Sequence, residues 1–329
     1  MHKRFVNHCT IELTLIPDGP ILIKSGKEGA DPTKPDMEFV ETYYGGGKSI
    51  YLPGSGLKGA IRAHGERIVR TVGSDRKPSN SNSNNNTIWA NDPINDKYDY
   101  LKDKNGKDLL PPEIYKNSSF TDQIFGNTSI ASRFRVEDAY PVDPKKIRLE
   151  ERNGVAIDRV FGSVAVGPFN YQVCTGGEFK TKLHLKNFTL AQLALIGLVL
   201  RDLNDGWFGL GFAKSRGLGT VSVKYNCAKV QYPGCILSQD SQNNRKIKQL
   251  GNPGEWDVNL LLGAGEFLST DEAVKYGFLK LDRQITPIRA EEMDLGFGVQ
   301  MKWEGNEENG VKDLFLKAVN SWNQALVVT

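Results

Sequence analysis

Apolar and polar residues alternate from His8 to Ile16, with Cys9, Ile11, Leu13 and Leu15 set against Thr10, Glu12 and Thr14. A period of two over that length predicts a half-buried strand. The same period recurs from Ser132 to Tyr140 through Phe134 and Val136, and again through Phe179, Thr181, Leu183 and Leu185. Helical spacing appears first in Leu57, Ala60, Ile61, Ile68, Val69 and Val72, which share one face of a helix expected to end near Gly73. It appears again in the nearly all-apolar run from Leu190 to Leu203, which must be buried on every side. Thr189 and Gln192 fit a capping box at its start, with Phe188 in the staple position. Thr220 to Tyr225 reads as a strand. Beyond Asn226 the pattern weakens. Trp256 to Leu262 and Phe278 to Leu281 read as strands, and Val311 to Leu326 as an amphipathic helix.

Strand, helix, strand, strand, helix, strand is the order of a split βαβ, ferredoxin-like α+β fold of the kind RNA-recognition domains use. That core is expected over residues 1–226, with residues 227–329 as a C-terminal extension packed on it. Two stretches break the pattern. Gly26 to Lys48 is a long loop without periodicity, carrying Asp31, Asp36, Glu38, Glu41 and Gly45-Gly46-Gly47, and loops of that length inside a domain are usually functional or disordered. Residues 74–119 read as an insertion without strand or helix periodicity. Its Asn80-to-Asn86 tract of Asn and Ser is too polar to bury a core and is expected to be disordered.

Composition narrows the choices. The 329 residues are 39% hydrophobic and 25% charged, ordinary for a soluble globular chain, and no apolar run reaches the length of a membrane span. The N-terminus lacks the apolar core of a secretory signal, and the four cysteines show no C-x-x-C spacing, which fits a reducing, cytoplasmic setting better than a zinc or disulfide framework. Net charge is only +3, so any hold on nucleic acid must come from local clusters of basic residues.

Two glycine-framed stretches are the candidate clusters. In Leu52-Pro53-Gly54-Ser55-Gly56-Leu57-Lys58-Gly59-Ala60-Ile61-Arg62, Ser55 stands where a helix cap belongs. The glycines open the helix N-terminus to an anion, and Lys58 and Arg62 lie four apart on one face beside it. In Gly206 to Gly219, five glycines with Lys214 and Arg216 form a backbone-lined cradle that suits a phosphate chain. The order there is helix, loop, strand, the reverse of a nucleotide P-loop or dinucleotide site, which excludes NTP and NAD binding. Single residues carry less. His64 beside the apolar stripe reads as a satisfied core histidine, and His184 should face away from Leu183 and Leu185 without an evident partner. Trp207 and Phe208 either stack on bases or close the core at a helix end.

Leu52 to Gly59 resembles the helix-opening motif of the repeat-associated mysterious protein (RAMP) superfamily, and Gly209-Leu210-Gly211 through Lys214-Ser215-Arg216-Gly217-Leu218-Gly219 resembles its glycine-rich loop. Ile157-Asp158-Arg159 before a small-residue run is similar to the thumb hairpin of backbone subunits of type III CRISPR complexes, and Val136-Glu137-Asp138-Ala139 to a strand end there. The four matches fall in order across residues 8–226. The resemblance implies a subunit that grips CRISPR guide RNA and stacks on sister RAMP subunits. Its thumb, within residues 141–170 and projecting over Gly154 to Gly167, would wedge between guide and target RNA. RNA contacts are then expected from Ser55, Gly56, Lys58, Arg62, Arg159, Lys214, Ser215, Arg216 and Gly217. In cleaving members an Asp in the loop before the opening helix supports Mg²⁺-dependent cutting of the target. Here Asp36 fits that place as catalytic residue and metal ligand, with Asp31 as the alternative. The resemblance equally allows a non-cleaving scaffold or capping subunit, and ranks a His-dependent endonuclease acting on the precursor transcript lowest.

Overall fold

The structure is a computed structural model that describes residues 4–26, 35–78, 88–92 and 98–327. In chain order the first part contains β1 (His8–Pro17), β2 (Glu41–Tyr44), β3 (Gly47–Ile50), α1 (Gly54–Val72), α2 (Pro111–Asn117), α3 (Phe120–Phe125), β4 (Phe134–Val136), β5 (Tyr140–Pro141), β6 (Arg148–Ile157), β7 (Val164–Gly176), β8 (Phe179–Lys186), α4 (Leu190–Asn204) and β9 (Val221–Tyr232). The second part adds β10 (Cys235–Gln239), β11 (Arg245–Gln249), β12 (Glu255–Asp257), β13 (Leu260–Leu262), α5 (Thr270–Tyr276), β14 (Arg283–Ile285), β15 (Glu291–Glu292), β16 (Val299–Glu304) and α6 (Val311–Val327). The chain is thus mixed helix and antiparallel sheet.

One sheet organises the molecule, with strand order β15-β16-β9-β1-β8-β4 and β5 also paired to β8. Every ladder in it is antiparallel. The alternation of β1 decides its two faces. Cys9, Ile11, Leu13 and Leu15 are buried on one side, where α1, α4 and α6 pack. The helix layer is close-fitting. A side chain at Gly65 would meet Leu195 and Val199 of α4, and a Cβ at Gly197 would lie 2.6 Å from the Phe315 ring of α6. His64 is buried in this layer, its Nε2 2.7 Å from Asp202 Oδ2 and its ring stacked on Phe208, so it is a core histidine as read.

The long helices and strands fall where periodicity puts them, including the Thr189–Gln192 capping box. Five local expectations are corrected. Helix α1 begins at Gly54 with Pro53 as its cap residue and no side-chain cap from Ser55. The Gly54 N–H is held instead by Asp138 Oδ1 at 2.7 Å, and a Cβ at Gly54 would sit 2.4 Å from the Val136 carbonyl. Ser132–Tyr140 is not one strand. Ala139 turns aside to exchange backbone hydrogen bonds with Leu52, splitting β4 from β5. Phe278–Leu281 is irregular because Leu281 adopts φ +69°, and the strand comes later as β14. The 26–48 loop holds the hairpin β2–β3, turned at Gly45 and Gly46 with φ +63° and +88°. A two-residue turn needing positive φ at both positions suits Gly-Gly. Finally, the 74–119 stretch does carry core. Trp89, Ala90, Leu101, Ile114 and Tyr115 are buried. The polar tract at 80–86 lies outside the described residues.

Candidate nucleic-acid interface

Strands β6 and β7 form a long hairpin whose β6 residues are almost all exposed. Its tip is a tight turn. Asp158 Oδ1 accepts the amides of Val160 and Phe161, and those two bonds hold its carboxyl below the ordinary range. Around that turn Ile157, Val160, Phe161, Val164 and Val166 are exposed, Val160 by 82% and Phe161 by 83%. Arg159 is exposed among them. The base of the hairpin packs on the chain through Val173 and Cys174, while its tip leaves an exposed apolar patch.

Asp36 lies against the base of this hairpin. The segment around it is laced to β7 and to residues 21–25. Met37 N donates to Asn170 O, Gln172 N to Met37 O, and Val40 N to Ile23 O. Asp36 is exposed, and its Oδ2 accepts the Asn170 amide at 2.8 Å. Asp31 lies outside the described residues. Among the described residues no group of three or more His, Cys, Asp or Glu is placed to hold a metal ion. Asp36, being exposed, can offer Mg²⁺ its carboxylate, with the remaining positions filled by phosphate oxygens and water.

The glycine-rich loop is pinned from below and open above. Leu210 N donates to Gly219 O, Phe212 N to Leu22 O, and Gly219 N to Pro20 O. Gly211 and Gly219 sit so close to the Leu22 and Leu210 carbonyls that a Cβ would lie 2.2 Å away in each case. Lys214 to Arg216 forms one short 3-10 turn between two left-handed residues, Ala213 and Gly217. Lys214, Ser215, Arg216 and Gly217 are all exposed, with the Arg216 guanidinium over the Phe212 ring. Trp207 is exposed beside Arg201, whereas Phe208 closes the core.

At the start of α1, Ser55 and Gly56 are exposed and Lys58 is half-buried. Burial, and then the neighbouring Arg62, draws the Lys58 ammonium below its usual range. Arg62 is not available to a ligand in the same way. Its guanidinium binds Glu66 Oε1 at 2.8 Å, Asp122 Oδ1 at 2.8 Å and the Gly126 carbonyl at 2.9 Å. It ties α1 to α3.

Periodicity alone could not show which face of the sheet stays uncovered. That face carries Lys180, Lys182 and Lys186 of β8, Lys224 and Lys229 of β9 and Lys302 of β16, with Arg135 of β4 and the histidines His8 and His184. Lys229 and Lys302 stand directly opposite each other. Glu12 offsets Lys180 and Lys182, and Glu304 contacts Lys302. His184 does have partners, Glu137 Oε1 at 2.8 Å and Thr10 Oγ1 at 3.4 Å. Beside this face, between the α1 N-terminus and the ends of β1, β4 and β8, lies a cleft of about 450 Å³.

A family model described as the RAMP superfamily matches residues 15–222, from the end half of β1 into β9. The match spans well over half the chain, and the chain belongs to that superfamily. No curated protein matches it significantly. No helix among the described residues is long and apolar enough to cross a membrane.

Proposed function

We propose that this RAMP-superfamily chain is a guide-RNA-binding subunit of a type III CRISPR RNA-guided complex, acting beside sister RAMP subunits. Superfamily membership points to a CRISPR-associated RNA-binding role, and the strand order β9-β1-β8-β4 with α1 and α4 on one face supports a ferredoxin-like core. The observation that carries the finer reading is the thumb. An exposed hairpin with an apolar tip suits insertion into a guide–target duplex, and Asp36 sits at its base. The exposed Lys214–Gly217 turn and the open α1 N-terminus supply sequence-independent phosphate contacts.

On this reading Asp36 supports cleavage of the target strand. Asp36 would hold Mg²⁺, which would supply charge stabilisation at the phosphate being cut. The thumb base and the Asn170 amide fix the position of that carboxylate, and base pairing with the guide presents the target chain to it. The engagement of the Asp36 carboxylate by the Asn170 amide favours one second reading, a scaffold or capping subunit without cleavage. Expressing the chain with a CRISPR array and its neighbouring subunits, then sequencing the copurified RNA, tests the proposal. Enrichment of processed guides for all spacers supports it. Recovery of the chain without RNA or sister subunits overturns it.

A further inference from the structure

The cleft beside the open sheet face is lined by Lys58, Arg133, Arg135, Lys186, His8 and His184, with no carboxylate among its lining residues. These side chains come from α1, β4 and its lead-in, β8 and β1, so the fold gathers them from four separate stretches. Glu137 offsets Arg135 and His184 from the side. Among the described residues no ion pair is formed by Lys58 or Lys186, and Arg133, 7% exposed, keeps Nη2 without a hydrogen-bond partner. Arg133 Nη1 is engaged by Tyr115 Oη and Asn187 O. A buried charged donor left unpaired costs stability, as do like charges opposite one another on a sheet, such as Lys229 and Lys302. An anion in the cleft offsets the positive charge gathered around it by Lys58, Arg135 and Lys186.

The rings in the cleft say what the anion is attached to. Phe5, exposed, lies 5.5 Å from His8, and His8 is stacked on His184 with centroids 5.5 Å apart. A row of rings beside a row of cations is the pattern that takes single-stranded nucleic acid, stacking bases while holding phosphates. His8 also reads the charge around it. It faces His184 and Lys186 from β8, Arg135 from β4, Gln231 from β9, Thr10 on its own strand and Phe5 before it. Burial and then His184, with Arg135 and Lys186, hold the His8 imidazole below its ordinary pKa, against the opposing hydrogen bond with Gln231. A phosphate arriving among these cations reverses the sign of the local field and favours the imidazolium.

Resting on the RNA-binding reading above, we propose that this cleft seats a nucleotide of single-stranded RNA, its phosphate among Lys58, Arg135 and Lys186, and that His8 takes up a proton as it fills. Binding and protonation are then linked, so RNA is held more tightly as pH falls. The Nε2 and Nδ1 atoms of His8 exchange one proton with solvent, and no covalent bond changes.

The test is binding of a labelled oligouridine dodecamer to the full chain at pH 8 and pH 6 and fixed ionic strength. The parent is expected to gain roughly tenfold in affinity on going to pH 6, the change one pKa unit allows. His8→Gln should bind more weakly at pH 8, having lost a stacking ring, and should gain less than about twofold on going to pH 6. Lys186→Glu should weaken binding at both pH values and shrink the pH effect, because the phosphate no longer seats. In parallel, the His8 imidazole resonances should titrate at higher pH with RNA bound than without it. An equal pH effect in the parent and in His8→Gln, or no movement of the His8 titration on adding RNA, overturns the inference and leaves RNA binding standing. No binding of the dodecamer at either pH overturns both.

Discussion

The carboxylate of Asp36 accepts the backbone amide of Asn170 at 2.8 Å, across 134 residues of sequence. With the Met37–Asn170 and Gln172–Met37 backbone bonds, this bond fastens the loop ahead of α1 to the β6–β7 hairpin. It also separates two roles that an alanine substitution would confound, anchoring and chemistry. Asp36→Asn keeps an acceptor for the Asn170 amide and loses the charge. In the assembled complex, Asp36→Asn should slow target cutting at this subunit's position by roughly 100-fold or more, with target binding within about twofold. Cleavage at the parent rate would make the subunit a scaffold, unless Asp31→Asn abolishes it.

Lys214 and Arg216 should contribute to RNA affinity without regard to sequence. Replacing both with Glu is expected to weaken binding of every guide alike. Two lost phosphate contacts should also lower the slope of log affinity against log salt by about 1.4. Gel-shift titrations of two unrelated guides over a salt series check this. A loss confined to one guide would contradict a backbone cradle.

Arg62 should behave as a structural residue. Burial pushes the Asp122 carboxyl up, its Oδ2 has no hydrogen-bond partner, and Arg62 is the cation beside its Oδ1. Removing Arg62 leaves that buried carboxylate uncompensated, which typically costs about 3 kcal/mol. Arg62→Ala should therefore lower the denaturation midpoint clearly. Arg62→Ala with Asp122→Asn should recover much of the loss. Full stability in the single variant, with weakened RNA binding, would return Arg62 to the interface.

Asp282 sets a pH dependence of folding. It is buried with Oδ1 accepting the Leu190 amide at 2.9 Å and Oδ2 the Gly265 amide at 3.3 Å. Burial nonetheless dominates and pushes its pKa up to about 7, from an ordinary value of 3.8. The folded chain then holds a proton that the unfolded chain releases between about pH 4 and pH 7. Across that window this group makes stability fall as pH rises, by at most on the order of 4 kcal/mol. Asp282→Asn should match the parent near pH 4 and gain on it up to pH 7, read as the difference in Tm. A difference that is flat with pH would mean the two amides keep Asp282 ionised.

How much of this was legible in the sequence follows from what each signal reports. Periodicity reports burial on one side of an element, so β1, β8, α1 and α4 could be read directly. The glycine-framed loop was legible because tight turns leave local marks, whereas the β6–β7 hairpin was expected only from the family resemblance. Contacts made at a distance leave none. Nothing near Ser55 says that Asp138, 84 residues from Gly54, caps the helix in its place. Nothing near Arg62 says that Asp122 and Gly126 will claim it. The lysines of the open face were visible one by one, but their gathering on one surface depends on strand register, which no single strand contains. The short strands of the C-terminal part were too brief for a period to emerge.

The position of β1 between β8 and β9 has a consequence for how the chain is made. This strand leaves the ribosome well before the partners for its two edges, which begin at residues 179 and 221, and the strand that covers β9 begins only at residue 299. During synthesis β1 waits with both edges open until β8 emerges, and β9 then waits through some 70 residues more. Contacts that span such distances form slowly, and open edges attract other chains meanwhile. The vulnerable moment of this protein is its birth, and slowing elongation between β1 and β8 should cost more soluble product than slowing it after β16.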